Sequence, residues 1–69
     1  MKDYSVKLFN QGKDFVEISI SAKNVIALYR KLAKNYPNLL KKYTFCQIYE
    51  EAVYINCQIN SDIIDRYNK

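Results

Sequence analysis

Apolar and polar side chains alternate twice between residues 4 and 20, with a turn between the two runs. Tyr4, Val6 and Leu8 fall on one side of the first run and Ser5, Lys7 and Phe9 on the other, the two-residue period of a half-buried strand. Asn10-Gln11-Gly12-Lys13-Asp14 gathers turn residues around the single glycine. Val16, Ile18 and Ile20 then alternate with Phe15, Glu17 and Ser19, so this part of the chain reads as a β-hairpin.

The period changes after Ser21, whose hydroxyl is placed to cap a helix. Val25, Leu28, Leu32 and Tyr36, flanked by Ile26, Tyr29 and Ala33, form a broad apolar stripe at spacings of three and four. Lys23, Ala27, Arg30, Lys31 and Lys34 take the opposite side. Pro37 ends or kinks that helix, because it lacks an amide donor and crowds the preceding turn. Asn38 to Lys42 is read as a short extra turn or a loop.

Residues 43 to 59 admit two readings. Phe45, Ile48, Tyr49, Ala52 and Val53 fit a helix, but the β-branched and aromatic content and the alternation through Ile59 favour two strands. Their connection is either a two-residue Glu50-Glu51 turn or a four-residue loop from Glu50 to Val53. Both place Ile55, Cys57 and Ile59 on the same face as Cys46 and Ile48. Asn60-Ser61 ends the run. Ser61-Asp62 caps a final short helix with Ile63, Ile64 and Tyr67 inward, and Asn68-Lys69 is expected to fray.

The order strand, strand, helix, strand, strand, with a possible short C-terminal helix, predicts a single α+β domain over residues 1–69. A small antiparallel sheet carries the main helix on one face. The inner face then takes Val6, Leu8, Val16, Ile18, Ile20, Cys46, Ile48, Ile55, Cys57 and Ile59. This leaves Phe9, Phe15, Tyr43, Phe45, Tyr49 and Tyr54 pointing away from the helix, beside Lys7, Glu17, Gln47 and Gln58. A sheet face that meets only water is normally more polar.

Charge adds a second feature. The formal charge is +4, and Lys23, Arg30, Lys31, Lys34, Lys41 and Lys42 fall in a stretch without a single acid. A chain of 69 residues buries only about 60% of its unfolded surface, which disfavours a deep catalytic cavity. Zero histidines remove the commonest general base and any Ser-His or Cys-His pair. Asp3, Asp14, Glu17, Glu50, Glu51, Asp62 and Asp65 lie at termini, turns and exposed positions, and one glycine does not make a phosphate loop. The reading is not an enzyme. No cofactor and no metal site is expected, since two cysteines without histidine do not complete a Cys/His zinc site. Cys46 and Cys57 are read as small buried hydrophobes, with a disulfide or a reactive thiol as the alternatives. No apolar run is long enough to cross a bilayer and the first residues lack a signal-peptide core, so a cytoplasmic location is expected.

Two binding functions compete. A protein-binding module would use Tyr43, Phe45, Tyr49, Tyr54, Phe9 and Phe15, since aromatic side chains are enriched at interface cores. Its mildest form is a homodimer with stacked sheets. A short chain of this composition suits a stoichiometric adaptor or inhibitor, phage-like or from a mobile element, acting on a host nucleic-acid-processing or defence complex. The alternative is a protein that binds nucleic acid without sequence specificity, with Lys23, Arg30, Lys31, Lys34, Lys41 and Lys42 on phosphates.

Overall fold

The computed structural model describes residues 1–12 and 14–67, so Lys13 of the first turn and the Asn68-Lys69 end lie outside the described residues. Seven elements follow one another: β1 (Lys2–Phe9), β2 (Phe15–Ala22), α1 (Val25–Asn35), α2 (Pro37–Lys42), β3 (Phe45–Glu50), β4 (Val53–Ile59) and α3 (Asn60–Tyr67). The strands form one antiparallel sheet in the order β2-β1-β3-β4, and the helices pack on one of its faces. The expected small α+β architecture is present, with one helix more in the middle of the chain.

That helix is α2. Pro37 stops α1, whose last turn closes on an amide of Tyr36 donating to Leu32, and then serves as the first residue of the next helix, where a missing amide is harmless. The N-cap of α1 is Asn24 and not Ser21. Asn24 Oδ1 accepts from the Ala27 amide at 2.8 Å, while Ser21 still belongs to β2 and donates to Asp3 Oδ1 at 2.9 Å. Ile26, assigned to the apolar stripe, is 47% exposed, and Ala27, assigned to the polar side, packs against the core.

Cross-strand register sorts the sheet into rows. On the inner face Val16, Leu8, Cys46 and Gln58 form one row, and Ile18, Val6, Ile48 and Asn56 the next. Val6, Leu8, Cys46 and Ile48 are fully buried, and they meet Leu28, Leu32, Ala33 and Ile63 from the helices. The row position of Asn56 and Gln58 corrects the expected register. β3 and β4 turn through Glu51 and Ala52, Tyr49 pairs with Tyr54, and Ile48 then pairs with Asn56, leaving Ile55 as an extra residue in a bulge. Up to Ile55 the alternation runs as the sequence predicts. Beyond it every side chain is turned over, so Cys57 and Ile59 point outward and the helix alternative for 43–59 falls away.

Both turn residues have positive φ, 49° at Glu51 and 69° at Ala52, the backbone that tight hairpins use and that side-chain-bearing residues resist. Ala52→Gly is therefore expected to stabilise the chain by roughly 0.5–1 kcal/mol. A urea midpoint that falls on this substitution would contradict the assigned turn.

Tyr43 is the second correction. Alternation puts it on the aromatic outer face, but α2 ends at Lys42 and the strand begins only at Phe45, so Tyr43 drops into the core and is 9% exposed. Asn60, read as a strand terminator, is fully buried. Its amide donates to the Thr44 carbonyl at 2.8 Å and its Nδ2 to the Tyr43 carbonyl at 2.8 Å, which ties the start of α3 to the entry of β3. Asn10 does similar work from the first turn, its Oδ1 accepting from Thr44 N at 2.8 Å and Thr44 Oγ1 at 2.9 Å.

Candidate functional site

The face of the sheet away from the helices carries three rows. Phe15, Phe9, Phe45 and Ile59 line one end, Glu17, Lys7, Gln47 and Cys57 cross the middle, and Ser19, Ser5, Tyr49 and Tyr54 close the other end. The first row is continuous apolar surface across all four strands. Phe9 and Phe45 are half-buried, with ring centroids 5.6 Å apart, whereas Phe15 and Ile59 at the two edges are 53% and 45% exposed. Tyr49 and Tyr54 meet edge to face at 5.7 Å, and the Tyr49 hydroxyl donates to Gln47 Oε1 at 3.0 Å.

Charge on this face is of mixed sign, with Lys7, Glu17 and Asp3. Lys7 and Glu17 are cross-strand neighbours, and the Lys7 ammonium lies 4.6 Å from the Phe15 ring centroid. An open hollow of about 300 Å³ lies between Ser5, Lys7, Glu17, Tyr49 and Ala52. Five of the six aromatic residues singled out from the sequence, Phe9, Phe15, Phe45, Tyr49 and Tyr54, share this face, and Tyr43 does not. Sequence reasoning missed Ile59 and Cys57. Their outward position follows from the bulge at Ile55, for which the seven-residue strand contains no glycine or proline as a marker.

The six basic residues belong to three segments of the chain. Lys23 sits between β2 and α1, while Arg30 and Lys34 are exposed on α1 and Lys41 and Lys42 at the end of α2. Lys34, Lys41 and Lys42 occupy last turns, where a cation is stabilised by the carbonyl ends of the helix. Lys31 is half-buried and its ammonium donates to the Ser21 carbonyl, and the Lys42 ammonium lies 5.6 Å from the Tyr43 ring centroid. Four of the six therefore have a local structural role. The basic stretch is thus carried by two helices and the connection before α1, not by one helix.

The cysteines lie on opposite faces. Cys46 opposes Gln58 inside and Cys57 opposes Gln47 outside, so the disulfide alternative does not occur and both thiols are free. Cys57 is exposed, against the expectation of a core position. Burial pushes the Cys46 thiol from 9.0 up to about 12, which keeps it protonated and unreactive. Burial likewise raises the Tyr29 phenol, whose hydroxyl donates to Asn56 Oδ1 at 3.0 Å. Burial first, and then the Glu50 carboxylate, raises Tyr4. All three shifts have one sign. Above pH 9 the unfolded chain releases a Cys46 proton that the native chain retains, so stability falls as pH rises. The slope from Cys46 approaches about 1.4 kcal/mol per pH unit between pH 9 and 12. Urea midpoints should drop from pH 8.5 to pH 10.5, and a flat profile would contradict a buried thiol.

Among the described residues no group of three or more Cys, Asp and Glu is placed to hold a metal ion, and no helix is long and apolar enough to cross a membrane. Comparison with models of known families, with curated proteins and with solved structures finds no match to this chain.

Proposed function

We propose that the chain is a non-catalytic protein-binding module, a stoichiometric adaptor or inhibitor, and that the outer face of the sheet is its contact surface. The observation that carries this reading is the row Phe15, Phe9, Phe45 and Ile59, apolar from edge to edge on the side that the chain's own helices leave uncovered. Flanking residues make a polar surround of mixed sign, the composition of an interface core with its rim. Tyr54 and Phe15, both about half exposed, are the anchors expected to insert into a partner.

Protein is favoured over nucleic acid by the placement of charge. Aromatic stacking of bases works together with cations that follow the phosphates, and the aromatic face offers Lys7 already balanced by Glu17. Arg30 and Lys34 stand on a helix that packs against the other face. A single strand would have to wrap the molecule to use both. The exposed cations instead suit long-range attraction toward an acidic target, such as the surface of a nucleic-acid-processing complex.

Photo-crosslinking separates the two readings. A benzophenone side chain at position 54 should give a discrete protein adduct in the cells that express the chain, and one at position 34 should not. Adducts to nucleic acid from position 34, with binding that weakens steeply as salt rises, would replace the protein reading with the phosphate one.

A further inference from the structure

We infer that β4 is a pairing edge for a second copy of this chain, joining two sheets into one of eight strands; this goes beyond the outer-face reading and does not depend on it. β4 is the last strand of the sheet, so among the described residues no strand pairs with the other side of its backbone. Edge strands usually carry a charge or a proline that discourages pairing. Val53–Ile59 has neither, and it is rich in β-branched side chains. β2, the opposite edge, carries Glu17, a charge of the kind that discourages pairing at an edge.

Backbone geometry says which groups are free. Asn60 N donates to Thr44 O at 2.8 Å, so by the alternation of an antiparallel ladder Gln58 faces β3, while the amides and carbonyls of Cys57 and Ile59 face the open side. This stretch lies past the Ile55 bulge and is regular. Antiparallel pairing about a two-fold axis at Gln58 sets Cys57 opposite Ile59 of the second copy, and Ile59 opposite its Cys57. Four backbone hydrogen bonds form, the exposed Ile59 gains cover, and the two Gln58 side chains meet as neutral amides with no like charges opposed. A strand of another protein would need the same register without the reciprocity. The symmetric solution is favoured because one uncharged segment supplies both halves.

The test uses the full chain. Sedimentation at tens to hundreds of micromolar should show twice the chain mass, and Cys57→Pro should be monomeric with an unchanged far-UV spectrum, because the amide it removes faces away from β3. The axis at Gln58 puts the Cys57 Cα atoms about 8–9 Å apart, from strand spacing and rise. A short bis-maleimide should therefore join two wild-type chains through Cys57 without touching Cys46, and this readout decides the matter if the proline variant does not fold. A monomeric wild type, a dimer that survives Cys57→Pro, or a dimer that resists the cross-link each overturns the assignment, including the case in which only a foreign extended peptide binds the edge.

Discussion

Ile48→Ala is expected to leave much of the population unfolded at physiological temperature, while Ile59→Ala leaves the fold intact. Both are isoleucines of the last hairpin, eleven positions apart, and the pattern of the sequence points both inward. Ile48 is fully buried on a central strand between Val6 and Asn56, under the helices. Its truncation removes transfer free energy and leaves a cavity, together about 2–5 kcal/mol. A chain this small rarely holds more than roughly 3–5 kcal/mol in its core, so the loss is close to the whole. Ile59 is 45% exposed on the outer face of an edge strand, and its truncation should cost less than about 1 kcal/mol. Urea unfolding of the two variants side by side measures the difference. Equal damage at both positions would mean that Ile59 faces the core and that the bulge at Ile55 is wrongly placed.

Phe15→Ser combined with Tyr54→Ser is expected to weaken partner binding on the order of 100-fold, with the fold retained and the melting temperature lowered by several degrees. Each side chain is about half exposed and lies on an edge strand, so the fold draws little from either. An interface draws much more, because aromatic anchors become fully desolvated on docking. Some stability is still at stake: the Lys7 ammonium loses the Phe15 ring and Tyr49 loses its edge-to-face neighbour, contacts worth about 0.5–1.5 kcal/mol each at most. Calorimetric titration of wild type and variant against the cross-linked partner reads the affinity, and a melting curve reads the fold. Unchanged affinity would remove the outer face as the contact surface. A large drop in melting temperature would recast Phe15 and Tyr54 as structural residues.

How far the site was legible varies by strand. β1 and β2 pair without irregularity, so Phe9 and Phe15 could be assigned outward from alternation alone, and the register Phe9 to Phe15 agrees. Phe45, Tyr49 and Tyr54 were equally readable, lying at or before the bulge. Tyr43 was not. Extending the strand backward from Phe45 by alternation puts residue 43 outward, but the strand does not extend that far, because α2 delivers Tyr43 from the helical side. Alternation has meaning only inside the ladder, and the sequence does not print where the ladder begins.

The amino-acid pattern by itself determined the first hairpin with its inward set, and the main helix with its stop at Pro37; for residues 43 to 59 it favoured strands over a helix without deciding. Each of these rests on local chemistry: a two-residue or 3.6-residue period, and an imide that cannot continue a helix. Tertiary structure decided the rest. Asn56 can turn inward because the Tyr29 hydroxyl reaches its Oδ1, and buried Asn60 donates through Nδ2 to the carbonyls of Tyr43 and Phe45 while its Oδ1 has no partner among the described residues. Those partners stand 27 and 15 to 17 positions away along the chain. A polar residue looks outward in a pattern until a distant donor or acceptor satisfies it, and only the packed helices bring those groups within reach.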